Sequence, residues 1–204
     1  MLVHILAAVV RRRTGTTATI PPLQSLYVAC ASPFPEVEKF IQYSSACDTG
    51  YNLDLLWSTG DIRDVLAAYT GAKDAATGAP LRNIRAMFIG VRYEDPHGGT
   101  LGLESPCDPD WPPMMRIHPI LNWDYVDVWS FLRSPVLATD TRANAPGVIG
   151  GGPDGVPYCS LYDQGYTSLG STHNTRPNPA LKRSDGYAPA YELQDASLER
   201  AGRG

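Results

Sequence analysis

The stretch FIGVRYEDP, Phe88 to Pro96, begins as an apolar run and closes on an arginine, two carboxylates and a proline. A strand that merely turns back ends in Gly or Asn. Arg92, Glu94 and Asp95 instead stand at a strand's carboxyl end, where open parallel sheets hold ligands. On this segment alone, a surface Arg–Asp ion pair of little energetic value explains the residues as well as a binding site does. The next segment, ESPCDPDWPPMMRIHP, adds Asp108, Asp110, Trp111 and Arg116. An indole beside carboxylates suits a flat heterocycle, which stacks on the ring while its donors are accepted by the acids. Flanked by prolines, Trp111 fits a core plug equally well. Near the end, AYELQDASLERAGRG sets Arg200 and Arg203 three apart, so a helical turn would place both guanidinia on one face. Such a pair grips phosphate oxygens bidentately. The plain alternative is a solvated tail.

These residues need elements to position them. MLVHILAAVVRRR reads as an amphipathic helix covering a sheet, with Arg11, Arg12 and Arg13 at its negative carboxyl end. SLYVAC (Ser25 to Cys30) reads as a strand. SPFPEVEKFIQYSSAC follows as a helix with Ser32 as cap and Pro35 in the first turn. YNLDLLW is a second strand, and DIRDVLAAYTGA a helix capped by Asp61. AMFIGVR is a third strand, apolar enough to be covered on both faces. MRIHPIL (Met115 to Leu121) is a fourth, and DYVDVWSFLR a helix capped by Asp124. This alternation predicts an α/β layered domain with a mostly parallel twisted sheet. The last third, from PYCSLYDQG onward, has little periodicity, as functional irregular segments often do.

The 204 residues, 43% hydrophobic and 19% charged, suit one domain over 1–204, with residues 134–157 a Gly/Pro-rich surface insertion. A net charge of −4 argues against non-specific nucleic-acid binding. The N-terminal apolar run is far short of the ~20 residues that a membrane span requires, so no membrane partner is expected. Cys30, Cys47, Cys107 and Cys159 form no CxxC, and His4, His97, His118 and His173 have no metal spacing. No resident metal site is expected. Reduced thiols fit a cytoplasmic protein, a mitochondrial one being the alternative; a monomer is expected.

Three segments, FIGVRYEDP, SPCDPDWPPMMRIHPILNWDYVDVW and PYCSLYDQGYTSLGSTHNTRPNPAL, together resemble in that order the eukaryotic FAD synthetases, the FMN adenylyltransferases. YVACASPFPEVEKF, YNLDLLW and YELQDASLERAGR extend the resemblance over nearly the whole chain outside the insertion. It implies the three-layer α/β/α fold of the adenine-nucleotide α-hydrolases, in their phosphoadenosine-phosphosulfate-reductase-like branch. It also implies the reaction of ATP with FMN to give FAD and pyrophosphate, with Mg²⁺. Carried over by motif, Arg92, Asp95, Asp108 and Trp111 would line the flavin pocket. Arg200 and Arg203, with Asp95, would carry catalysis, the arginines by holding phosphates. Tyr27 and Val28 would meet adenine through their backbone, and Tyr162 to Gly170 would shape a pocket wall.

The chain departs from that pattern in one respect. The family carries a strand and a Gly-Gly-Lys-Asp loop before its first helix, and no such sequence occurs here. The expectation is therefore a sheet lacking its N-terminal strand, and an activity impaired by truncation. A flavin-binding chain without turnover is the competing reading. A reductase or sulfurtransferase acting on an adenylyl sulfate is another, but it needs a reactive cysteine near the C-terminus, and the last one is Cys159. A purely structural role leaves the acid–Trp–Arg residues without explanation.

Overall fold

The computed structural model describes residues 1–15, 20–47, 51–137, 147–150 and 155–204. Helix α1 (Leu2–Thr14) ends with its three arginines in the last turn and Gly15 in the left-handed region, a conformation open to glycine. Leu2 packs on Gly90, so α1 covers the end of a strand as predicted. Strand β1 (Leu23–Ala29), helix α2 (Pro35–Ser45) and strand β2 (Leu53–Thr59) follow. The two strands pair in parallel from Leu23 opposite Leu53 to Ala29 opposite Thr59. Tyr27 meets Trp57 edge to face at 4.6 Å on this pair. The cap predicted at Ser32 is absent. Phe34 takes the cap position and Pro35 opens the helix, while the Ser32 carbonyl accepts from Thr172 N at 2.9 Å.

Helix α3 (Ile62–Gly71) is capped as predicted, Asp61 accepting from Arg63 N at 2.9 Å and Asp64 N at 3.4 Å. Strands β3 (Ala86–Phe88), β4 (Glu104–Pro106) and β5 (Met115–Ile117) form a second sheet in the order β3–β5–β4. β3 runs parallel to β5, and β4 antiparallel to it. Both long apolar runs thus give only three strand residues. β3 is not covered on both faces: Phe88 is 51% exposed. The strand also stands at the edge of its sheet, paired on one side only among the described residues. β4 went unpredicted because Pro106 and the following Asp-Pro read as a turn.

Helix α4 (Tyr125–Leu132) begins with a reciprocal capping box, Asp124 accepting from Asp127 N at 2.7 Å and Asp127 accepting from Asp124 N at 3.1 Å. Asp124→Ala should therefore lower stability by about 1 kcal/mol, read as an earlier urea midpoint at unchanged m-value. Short antiparallel pairs complete the chain: β6 (Ile149–Gly150) with β7 (Tyr158–Cys159), and β8 (Lys182–Arg183) with β9 (Gly186–Tyr187).

The principal core lies between α4 and the irregular C-terminal third, where Tyr125, Trp129, Leu132, Val156, Tyr158, Leu181 and Leu193 are buried together. Trp129 sits edge-on to Tyr158, Tyr162 and Tyr191 at 5.2–5.9 Å. Turn formers and glycines hide this packing from any periodicity count. Much of the predicted 134–157 insertion, residues 138–146 and 151–154, lies outside the described residues. Its described ends are structural: Val156 is fully buried and its N–H bonds to the Leu132 carbonyl at 2.7 Å. No helix among the described residues is long and apolar enough to cross a membrane.

Candidate functional site

Beyond β3 the chain turns through Arg92 to His97. Asp95 accepts from the Arg92 backbone N–H at 2.9 Å and from its Nη2 at 3.1 Å, so a carboxylate closes the turn and pairs with the guanidinium at once. The same Nη2 donates to Glu199 at 2.6 Å, from 107 residues away. The Arg92 side chain is 8% exposed, against 24% for Asp95 and 21% for Glu199. A surface pair is thus replaced by a nearly enclosed one. Burial alone would draw the Arg92 pKa down; hydrogen bonds and charge from Glu199 and Asp95 more than reverse it, and the guanidinium stays charged. Burial pushes the Glu199 carboxyl up from its ordinary value, against the pull of Arg92, and the nearby Asp95 and Glu94 add to the rise. Glu94 itself is exposed, as a solvated neighbour should be. Among the described residues, Nε and Nη1 of Arg92 have no hydrogen-bond partner, so half of the fork remains for a ligand.

Glu199 belongs to the tail, and no sequence signal marked it beyond an acid standing beside two arginines. The helical turn expected here forms as a 3-10 turn over Ala196–Leu198 and continues as tight turns, not as a regular helix. Residues 195–203 form successive tight turns, with Ala201 N bonded to the Leu198 carbonyl and Arg203 N to that of Arg200, both at 2.9 Å. Its main chain pairs instead with residues 174–176: Arg176 N reaches the Gly202 carbonyl and Gly204 N the Asn174 carbonyl, each at 2.9 Å. Asn178, fully buried, donates to the Leu198 carbonyl at 2.7 Å and to Thr167 at 2.9 Å. Thr167 in turn donates to the Glu199 carbonyl at 2.6 Å. The YDQGYTSLG and NPAL segments therefore hold the tail turn in place.

Arg200 is exposed, and Arg203 is half-buried. Neither forms an ion pair among the described residues. A Cβ on Gly170 would overlap Cζ, Nη1 and Nη2 of Arg203 alike, so the guanidinium lies flat on this glycine. Gly170→Ala should leave the fold intact, because the far end of a long side chain can yield, yet displace Arg203. Its expected signature is a loss of phosphate-dependent ligand affinity of ~10-fold, checked by titration with the phosphorylated and unphosphorylated forms of the ligand.

The other predicted residues lie elsewhere along the register. Asp108 and Trp111 occupy the loop joining β4 to the amino end of β5, whereas Arg92 and Asp95 follow the carboxyl end of β3. Trp111 is half-buried, and its N–H bonds to the Asp108 carbonyl at 2.9 Å. Asp108 pairs with Arg116 at 3.4 Å, and Asp110 with Arg63 in the first turn of α3 at 2.7 Å. No hydrogen bond or ion pair among the described residues joins this loop to Arg92, Asp95 or the tail. Two hollows, about 390 Å³ between β2 and α3 and about 610 Å³ over α4, are walled by Tyr69 and Arg82 and by Trp129 and Tyr191 respectively, with none of the predicted site residues. The structure thus assembles Arg92, Asp95 and the tail, and leaves Asp108 and Trp111 a second, separate cluster. Tyr27 and Val28 lie on β1, which pairs on one side only among the described residues and so keeps an edge of free main-chain donors and acceptors.

Among the described residues, no three His, Cys, Asp or Glu side chains are grouped to hold a metal ion. Cys159 is buried and its thiol pushed up by that burial, the opposite of a reactive thiolate.

Residues 5–139 match the model of the phosphoadenosine phosphosulfate reductase domain. The chain belongs to that family. Proteins similar to it include a Schizosaccharomyces pombe protein described as "Probable FAD synthase", 36% identical over 187 residues, covering 91% of this chain and 59% of that protein. A Caenorhabditis elegans protein of the same description is 34% identical over 211 residues, covering all of this chain and 34% of its own length. The chain thus spans about three-fifths and one-third of these two relatives. Candida glabrata FMN adenylyltransferase, solved in complex with FMN and the ATP analogue AMPCPP, superposes with a TM-score of 0.67 at 23% identity, over 91% of this chain and 68% of that one. This likeness establishes the fold, the α/β architecture of the adenine-nucleotide α-hydrolases, as the sequence predicted.

Proposed function

We infer that the chain is an FMN adenylyltransferase, joining the AMP part of ATP to FMN to form FAD and pyrophosphate. The observation that carries this reading is the tail turn. Two guanidinia without carboxylate partners among the described residues, Arg200 and Arg203, are held on a fixed main chain next to the Arg92–Asp95–Glu199 knot. The identities with FAD synthases over most of this chain support it. A phosphate oxygen of FMN forms a bond to the α-phosphorus of ATP while the bond to the bridging oxygen breaks, and pyrophosphate leaves. Little covalent chemistry falls to the protein; positioning and neutralisation of charge carry the rate. Arg200 and Arg203 hold phosphate oxygens and meet the charge that develops during transfer. Arg92, whose Nε and Nη1 have no partner among the described residues, and Asp95 face the flavin. The open edge of β1 at Tyr27 and Val28 offers main-chain groups to adenine. Mg²⁺ enters as the ion carried by ATP, bound mainly by its phosphates, which suits a chain whose described residues group no carboxylate cage.

The Arg92–Asp95–Glu199 arrangement, which serves to hold a ligand as well as to transform one, leaves one second reading, a chain that holds flavin without turnover. Incubation with FMN, ATP and Mg²⁺ separates the two. Stoichiometric FAD and pyrophosphate support the transferase; flavin fluorescence quenching without pyrophosphate supports the binder. Neither binding nor product would refute both.

A further inference from the structure

Glu199 directly precedes the first of the two tail arginines and is fixed from two directions. Its carboxylate accepts from Arg92 Nη2 at 2.6 Å, and its carbonyl accepts from Thr167 at 2.6 Å. Arg92 in turn is anchored to the turn between β5 and α4, because Asp95 grips it and Tyr93 N bonds to the Leu121 carbonyl at 2.8 Å. A guanidinium is planar and rigid, so the orientation of Nη2 toward Glu199 and that of Nε and Nη1 toward any ligand are one quantity.

We propose that Glu199, acting through Arg92, is a positioning residue that couples the flavin-facing turn after β3 to the phosphate-gripping turn of the tail. The inference rests on the functional reading above and deepens it. With the carboxylate in place, Arg200 and Arg203 stand ready for phosphate before the ligand arrives, and the ordering cost on binding is reduced. Without it, Arg92 keeps only Asp95, and the tail retains its bonds to Thr167, Asn178 and residues 174–176 but loses its tie to the turn after β3. The phosphate end of FMN should then suffer while the ring end does not.

The test is a double-mutant cycle read by flavin fluorescence titration. Glu199→Ala should weaken FMN binding by ~10-fold and riboflavin binding by less than ~3-fold, and should cost nothing further in an Arg203→Ala background. Glu199→Gln, whose amide oxygen still accepts from Nη2, should recover most of the loss, and it reads the same coupling should the alanine variant not fold. Losses that add across the cycle, or that fall equally on FMN and riboflavin, would overturn the latch alone, provided that the unmodified chain binds FMN. An unmodified chain that binds neither flavin would overturn the functional reading and the latch with it.

Discussion

Arg200→Ala combined with Arg203→Ala should lower kcat/KM for FAD formation by ~100-fold or more, about 2.7 kcal/mol of transition-state stabilisation. The physical ground is the contrast among the arginines of this region. Arg92 is spent in part on two carboxylates, whereas neither tail guanidinium has an acidic partner among the described residues. An unpaired guanidinium on a fixed main chain surrenders little when it takes up a phosphate, because it leaves no other anion behind. For Arg203 the main-chain position is set by the flanking bonds to Asn174 and Arg176 and the plane by Gly170, so its geometry is settled in advance. Riboflavin has no phosphate, and its affinity should stay within ~3-fold of the unmodified chain in the same double variant. Stopped-time assays of FAD and parallel titrations with the two flavins check both halves. Full turnover in the double variant would remove phosphate-clamping from the tail.

Arg92→Ala should be the most damaging single substitution for stability, at about 3 kcal/mol. It deletes the cation between two acids that both bond to the same Nη2 and are each less than a quarter exposed. Asp95 and Glu199 would then confront one another with nothing between. The loss has a defined pH dependence. Burial already raises the Glu199 pKa, and Arg92 opposes that rise, so removing the arginine lifts it further. A carboxyl with a folded-state pKa above its unfolded value stabilises the fold while protonated and ceases to do so as pH climbs through the folded pKa. The deficit of the variant should therefore be smaller near about pH 5 than near about pH 8, as urea midpoints at the two values would report. Arg92→Met with Glu199→Leu should recover much of the stability, since apolar groups of similar size replace a buried ion pair at little cost. It should not recover FMN binding. A deficit independent of pH would mean that packing, not charge, accounts for the loss.

Some of this protein is written in short-range chemistry. Asp61 and Asp124 announce their helices because a cap bonds to amides two or three residues away, and both caps are formed as predicted. The apolar runs of β1 and β2 likewise become strands in parallel register, and the arginines of α1 fall in its last turn. The segments that carry the likeness to FAD synthetases need no coordinates either. Arg92, Asp95, Arg200 and Arg203 stand out as residue types before any fold is known.

Other features depend on where distant residues meet. Ser32 has the chemistry of a cap but spends its carbonyl on Thr172. The tail has helical composition, yet its main chain bonds to residues 174–176, because Gly202 approaches the Arg176 carbonyl more closely than any side chain would allow. Glu199 gains its meaning from an arginine 107 positions earlier, and Gly170 from a guanidinium laid across it. Tertiary structure also separated what adjacency in sequence had grouped. Trp111 and Asp108 attach to the amino end of β5, whereas Arg92, held by Asp95, attaches to the tail. Local propensity reaches only a few residues along the chain, whereas burying a charge requires a partner wherever the fold can supply one.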